Sequence, residues 1–292
     1  MSEICNACPR RCGVTRGKGF CRAPQEYLIA RAAPHMFEEP PISGVRGSGT
    51  IFFGGCNLRC VFCQNKEISR GGKGEVYTDD ELEKLIFELC EKGVHNINLV
   101  TPSHYFAGLA RLLEKIKPRL DVPVVCNCGG YESIDALRAL DGLVDVYLPD
   151  FKYFSSELSA RYSHAPNYFE VASRALTEMH RQQPNLVYND DGILKQGLVV
   201  RHLVLPGCRR DSIEVLRRLK ELIPTESMLL SLMSQYTPEF NDKDFFPELG
   251  RKVTTFEYES VAKEAIALGF DGFFQSREAA SSVYTPDFNK KS

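Results

Sequence analysis

The chain has 292 residues, 43% of them hydrophobic, enough for a sizeable core in one large α/β domain or two smaller ones. Its formal net charge of −2 supplies no global attraction to nucleic acid or an acidic membrane surface, and no run approaches the roughly 20 apolar residues of a membrane span. The start, Met1-Ser2-Glu3-Ile4-Cys5, lacks an apolar signal core, and 11 cysteines fit metal ligation in a reducing compartment, the cytoplasm, better than a disulfide framework.

Residues 1–24 carry Cys5, Cys8, Cys12 and Cys21 among Pro, Gly and Arg, with almost nothing apolar to pack, so this stretch needs a metal to hold a fold. Tetrathiolate zinc and iron sites both fit, as does an accessory iron–sulfur cluster for electron transfer; free thiols are the alternative. The basic residues Arg10, Arg11, Arg16, Lys18 and Arg22 read as solubilising the loop. From Tyr27 to Ser48 the chain is rich in Pro and Gly, an extended cover in which His35, Glu38 and Glu39 read as ordinary surface polarity.

Thr50-Ile51-Phe52-Phe53 is an apolar, β-branched and aromatic run bounded by glycines, a buried strand that delivers the loop GGCNLRCVFCQN at 54–65. In it Cys56, Cys60 and Cys63 stand at C-x3-C-x2-C spacing. A zinc site wants a fourth protein ligand, whereas three cysteines can hold three irons of a [4Fe–4S] cube and leave the fourth iron open. A structural metal loop is the competing reading.

Further on, Leu82, Leu85, Ile86, Leu89 and Cys90 recur at helical spacing behind a Thr78 cap and the acidic turn Asp79-Asp80-Glu81, which makes Cys90 a core residue. Strands are predicted at 97–101, 122–127, 144–149, 198–205 and 228–233, and helices at 106–117, 133–140, 155–163, 168–182, 213–223 and 256–268, with a polar surface loop at 184–196. Strand and helix alternate six times, which implies a parallel sheet with right-handed crossovers. Six units are too few for an eight-stranded barrel. The expected fold is therefore an α/β open partial (β/α)6 barrel of the TIM type with a small cysteine-rich metal-binding extension. Its parts are the extension and cover at 1–48, the barrel at 49–275 and a polar tail at 276–292. The open side can admit a large substrate.

The strand ends aim polar residues at the same mouth as the cysteine loop: Thr101 and Ser103, Asn127, Asp150 and Lys152, Arg201 or His202, and Gln235. Strand neighbours point to opposite faces, so one of Arg201 and His202 enters the barrel, and register with the apolar positions selects His202. Cys126 and Cys128 share the face opposite Asn127, as buried residues or thiol hydrogen donors, and Cys208 follows the turn Pro206-Gly207.

Across nearly the whole chain, CPRRC, EEPPISGVRGSGTIFF, the loop ending CQN, INLVTPSH, YLPDFKY, VRHLVLPG and SLMSQYTP together resemble the pyruvate formate-lyase activating enzyme-like branch of the radical S-adenosylmethionine (SAM) proteins. The resemblance implies an oxidoreductase in which Cys56, Cys60 and Cys63 hold a [4Fe–4S] cluster whose open iron chelates the amino and carboxylate groups of SAM. An electron from the cluster cleaves the sulfonium, and the resulting 5'-deoxyadenosyl radical abstracts hydrogen. It further implies SAM contacts from Phe62, Asn65, Thr101, Ser103, Asn127, Asp150, Lys152, His202 and Gln235, with Asp150 and Lys152 matching an Asp-x-Lys pair near the methionine moiety. The Gly-Gly-Glu stretch that often holds the SAM amino group is replaced here by Thr101-Pro102-Ser103. The implied partners are a glycyl radical enzyme as protein substrate and a flavodoxin- or ferredoxin-type reductant. A small molecule or RNA is the competing substrate, and a non-catalytic iron–sulfur or zinc protein is the reading from a different class.

Overall fold

The computed structural model describes residues 4–241 and 244–274. In chain order these form β1 (Tyr27–His35), α1 (Pro40–Ser43), β2 (Ser48–Phe53), α2 (Lys66–Ser69), β3 (Glu75–Tyr77), α3 (Asp79–Glu91), β4 (Ile97–Val100), α4 (Phe106–Ile116) and β5 (Val124–Cys128). There follow α5 (Ile134–Arg138), β6 (Val146–Pro149), α6 (Ser156–Ser163), α7 (Tyr168–Gln182), β7 (Val187–Tyr188), β8 (Leu194–Leu203), α8 (Arg209–Leu222), β9 (Leu229–Met233), α9 (Thr255–Leu268) and β10 (Gly272–Phe274). The strands join in the order β10-β9-β8-β6-β5-β4-β2-β1-β3, with β7 paired on β8. From β2 to β10 every pairing along this path is parallel. The sheet is open: β3 and β10 are its two ends. This is the expected α/β partial barrel, with a seventh parallel strand, β10, added at its far edge. Gln275 and the expected tail at 276–292 lie outside the described residues.

Three short or irregular strands escape the sequence periodicity. The expected cover contains the nine-residue β1, antiparallel to β2, and β3 pairs antiparallel on β1. The Pro and Gly content of 27–48 made this stretch read as an extended cover, but β3 covers only Tyr27 to Ile29 of β1, so Pro34 lies beyond that pairing, where a strand tolerates a residue without an amide hydrogen. The polar stretch at 184–196 similarly contains the two-residue β7 folded back on β8. The helices follow the amphipathic stripes. Thr78 caps α3 in a reciprocal capping box with Glu81, and Thr254 does the same for α9 with Glu257. The large apolar core lies between sheet and helices, and includes Val200 and Cys126 on the outward face of the strands.

A second, smaller core fills the inside of the barrel at its base: Val125, Val146, Leu148, Val199 and Leu229 close around Ile42 of α1. The plug is tied in by Asn96, whose Nδ2 donates to the Ile42 carbonyl at 2.7 Å while its Oδ1 accepts from Ser48 Oγ at 2.6 Å. Thus α1 is the floor of the barrel. Ile42 is fully buried, and truncating it to Ala should cost about 3 kcal/mol in a urea titration, the usual range for a lost Ile side chain in a packed core. An unchanged midpoint would show that the base is not closed by this residue.

Candidate metal centre and active-site cavity

The cysteine loop leaves the C-terminal end of β2 through Gly54 and Gly55. Gly55 has φ +84°, and a Cβ there would lie 2.5 Å from the Cys21 carbonyl oxygen, so only glycine lets the amino-terminal segment approach the loop this closely. The loop is pinned on several sides. Asn57 Nδ2 donates to the Tyr131 carbonyl at 2.7 Å, Arg10 Nε donates to the Asn57 carbonyl at 2.5 Å, and the Val61 amide donates to the Tyr162 carbonyl at 2.9 Å. Gln64 Nε2 reaches the Gln235 carbonyl at 3.2 Å, across the mouth from the end of β9.

Cys56, Cys60 and Cys63 all face one open cavity of about 610 Å³ at the C-terminal ends of the parallel strands. Ser163 Oγ donates to Cys60 Sγ at 2.9 Å, and the Leu58 amide approaches Cys56 Sγ at 3.3 Å. Burial pushes the Cys56 thiol up to about 12, with the Cys60 charge adding to it; burial likewise raises Cys60 and Cys63, and the Cys60 charge raises Cys63 further. Three thiols this close and at least partly buried cannot all ionise unless a positive group shares them, so metal binding here must release protons. Among the described residues no three Cys, His, Asp or Glu side chains converge on one ion-sized point. A cube places each thiolate on a different iron, so a cluster needs no such convergence, and the donor set fits it.

Of the residues expected to meet SAM, Phe62, Asn65, Thr101, Asn127, Asp150, Lys152 and Gln235 line the same cavity. Thr101 has φ +59°, a strained conformation for a β-branched residue, and its amide is held by the Asn127 carbonyl at 2.8 Å. Ser103 and His202 lie elsewhere. Ser103 turns away and donates to Glu132 Oε1 at 2.9 Å. His202 is on the outer face of β8, where Nδ1 meets the Phe151 carbonyl at 2.7 Å and burial depresses the ring to about 4, so it is neutral. Arg201 is the residue that enters the barrel, reversing the expected register: Val199 packs in the interior core and Arg201 lines the cavity, while Val200 faces outward.

The reason is charge. Inside the barrel Arg201 Nε meets Asp150 Oδ1 at 3.0 Å, Nη2 meets Asn127 Oδ1 at 2.5 Å, and Nη1 stands 3.6 Å from Glu38 Oε2. Lys152 Nζ holds the other Asp150 oxygen at 2.6 Å. Burial opposes the Asp150 charge, but Arg201 and Lys152 more than offset it and hold the carboxyl below its ordinary value. Burial also opposes the Lys152 charge, and Asp150 and Cys60 outweigh it, so this ammonium stays charged.

His35, Glu38 and Glu39 are not surface polarity: all three line the cavity, the two carboxylates immediately before the Pro40-Pro41-Ile42 floor. The signal available in the sequence was a pair of acids leading into a prolyl turn with a buried isoleucine, and it becomes specific only once Ile42 is known to plug the barrel. The four amino-terminal cysteines gather around a second, much smaller cavity beside the loop, and its walls also include Asn57 and His104.

Residues 50–207 match the family model of the Radical SAM superfamily, and the chain belongs to that superfamily. It is similar to the uncharacterized protein MJ0674 of Methanocaldococcus jannaschii, with 30% identity over 274 residues that cover 89% of this chain and 72% of that one. Its fold is similar to methylornithine synthase (PylB), with TM-score 0.52 at 16% identity over 77% of this chain and 66% of that one. It is also similar to HydG, a maturase of the [FeFe]-hydrogenase, with TM-score 0.51 at 12% identity over 84% of this chain and 56% of that one. Membership implies a [4Fe–4S] cluster and SAM, and the matched segment contains the loop of Cys56, Cys60 and Cys63. No helix among the described residues is long and apolar enough to cross a membrane.

Beside the site, burial lifts Glu132 from 4.5 to about 7 against the Ser103 hydrogen bond. Its folded pKa exceeds its unfolded one, so the native state binds more protons between those values and stability falls as pH rises from about 4.5 to 7. The loss amounts to about 3 kcal/mol if no other group titrates. Glu132→Gln should flatten that decline in urea midpoints taken at pH 5, 6, 7 and 8. An identical slope in variant and wild type would mean that this carboxyl is already ionised at pH 5.

The Arg201 contacts make a second prediction. Arg201→Met removes the charge shared by Asp150 and Glu38 and should lower stability by about 3–5 kcal/mol, as for other half-broken buried pairs. A loss under about 1 kcal/mol would show the network to be well hydrated.

Proposed function

We propose that this radical SAM enzyme cleaves SAM reductively and abstracts hydrogen from a glycine Cα of a partner protein, in the manner of the pyruvate formate-lyase activating enzymes. The observation that carries the first part is one open cavity containing three cysteines of a cluster loop together with a carboxylate, an ammonium and a guanidinium. Cys56, Cys60 and Cys63 would hold the cluster, which would supply the one electron that breaks the C5'–S bond of SAM into methionine and a 5'-deoxyadenosyl radical.

This chain's own residues orient the cofactor. Lys152 gives one of its three N–H donors to Asp150 and keeps others for the SAM carboxylate. Asp150, kept ionised by two cations, can accept a hydrogen bond from an N–H of the SAM amino group. Phe52, Phe62, Val100, Leu203 and Met233 line the remainder with apolar surface, which excludes water from a reactive radical. Asn65, Thr101, Asn127 and Gln235 supply the polar contacts at the rim, while Ser103 and His202 support the walls from behind. A glycine substrate is supported by the open sheet, which leaves a side through which a peptide loop can enter, and by the motifs shared with the activating branch. A flavodoxin or ferredoxin is the proposed one-electron donor, and the amino-terminal cysteines are proposed to hold a second metal, zinc or iron.

The test is formation of 5'-deoxyadenosine after anaerobic reconstitution with iron and sulfide, reduction and addition of SAM. Wild type should form it, Cys60→Ala should not, and Lys152→Met should raise the KM for SAM about tenfold with its cluster intact. No product from an intact wild-type cluster overturns the assignment. Deuterium carried from [2,2-²H2]glycine-labelled protein into 5'-deoxyadenosine is the outcome expected for the substrate. Unlabelled product formed in its presence would favour a small molecule or RNA.

A further inference from the structure

The amino-terminal segment has almost no regular structure, a single bridge between Ile4 and Thr15 among its described residues, yet it packs closely. Arg10 spans from this segment to the cluster loop and the end of α6, where its guanidinium donates to the carbonyls of Asn57, His164 and Ser163 and lies 3.8 Å from the centre of the Phe20 ring. Arg59 reaches back from the cluster loop to the Phe20 carbonyl at 3.3 Å. Between these anchors Cys5, Cys8, Cys12 and Cys21 border one small cavity, with Cys8 and Cys21 buried. Four thiols bordering so small a space suit a single thiophilic ion.

One wall of this space is His104, 2% exposed, in the turn after β4. Its Nε2 lies 2.9 Å from the Gly54 carbonyl, which can only accept, so Nε2 carries the ring proton. Nδ1 is then a bare lone pair, and it is buried without a hydrogen-bond partner. A buried acceptor left this way is costly unless something coordinates it. Metal-bound histidines characteristically give their other nitrogen's proton to a backbone carbonyl, the arrangement found here.

We propose that the four amino-terminal cysteines and His104 Nδ1 form the donor set of a mononuclear site for a thiophilic metal ion, zinc or iron, seated against the back of the radical cluster loop. Four of the five donors complete a tetrahedral shell. As they stand, no three converge on one point, so ligation turns the thiols inward and displaces their protons. The ring links the two centres mechanically: one nitrogen faces the ion, and the other holds Gly54, two residues before Cys56. Filling the site therefore braces the loop that carries the radical cluster. This inference deepens the second-metal part of the proposed function and is independent of SAM cleavage.

The experiment uses the full chain carrying Cys56→Ala, Cys60→Ala and Cys63→Ala, so that no iron is held at the radical centre. Loaded anaerobically with Zn²⁺ or Fe²⁺ in separate arms and dialysed, it should retain one ion per chain, and the arm that competes better against a chelator names the metal. Adding His104→Ala should weaken retention by about tenfold or more, at least the loss that an outer-shell partner causes. Because that variant can fail to fold, the intact ring is also read directly: with ¹¹³Cd²⁺ in the site and ¹⁵N-labelled histidine, one Nδ1 should show coupling to cadmium. No retained ion in either arm overturns both the second-metal reading and this inference. A retained ion with no ¹⁵N coupling and unchanged affinity in His104→Ala leaves the second metal standing and overturns the role of His104. Retention of several irons with sulfide overturns the mononuclear site.

Discussion

Three thiols held close together in one loop, Cys60 buried and Cys56 and Cys63 partly so, set the terms for the rest of the molecule. Burial favours their neutral forms and proximity penalises ionising more than one, so Cys56, Cys60 and Cys63 can act together as thiolates only around a shared cationic centre. A loop carrying that demand must not collapse or splay when the centre is absent. It is accordingly bonded to parts of the fold far apart in sequence, through the Asn57 side chain to Tyr131, the Val61 amide to Tyr162 and the Gln64 side chain to Gln235. Each tie is a single hydrogen bond worth about 1 kcal/mol, so geometry rather than any one contact keeps the loop in register with the strand ends.

The cavity beneath the loop is organised by the same electrostatics with the signs reversed. Asp150 is too buried to be charged alone, and the two cations beside it are too buried to be free, so each keeps the others ionised. Arg201 contacts Asp150, Asn127 and Glu38 at once and so joins β8, β6, β5 and the floor segment through one side chain. A zwitterionic ligand entering there meets charges that are already oriented and already desolvated, which is the condition under which electrostatic binding is strong.

How much of this is legible in the sequence depends on how local each feature is. The cluster loop is local: three cysteines within eight residues carry their meaning in spacing together with the apolar strand before them and the βα units after. The parallel strands and their helices are nearly as plain, because stripes of period 3.6 and short apolar runs alternate. What failed depends on partners distant in the chain. Choosing between Arg201 and His202 needs the position of Asp150, 51 residues earlier, to know that a guanidinium has a buried partner inside the barrel. Ser103 looked like a rim residue, and its partner Glu132 is 29 residues later on the next strand's loop. Glu38 and Glu39 looked solvated because nothing near them in sequence announces that Ile42 closes the barrel from below. β1 was hidden by the Pro and Gly content of 27–48, and its Pro34 is harmless because β3 pairs only with Tyr27 to Ile29.

The amino-terminal segment illustrates why a fold without a core of its own can still be rigid. It supplies few apolar groups, so it depends on specific contacts: Arg10 on three carbonyls, Phe20 between two guanidinium groups, and the Cys21 carbonyl against a glycine that has no Cβ to block it. All of these bear on the cluster loop or on the residues that brace it. The segment is therefore part of the support of the radical centre rather than an appendage to the barrel. The barrel side contributes His104, which lines the amino-terminal cysteine cavity and holds the Gly54 carbonyl through Nε2. Ligation of Nδ1 at the proposed metal site would reach the cluster loop through Gly54, because that carbonyl holds the other nitrogen of the same ring.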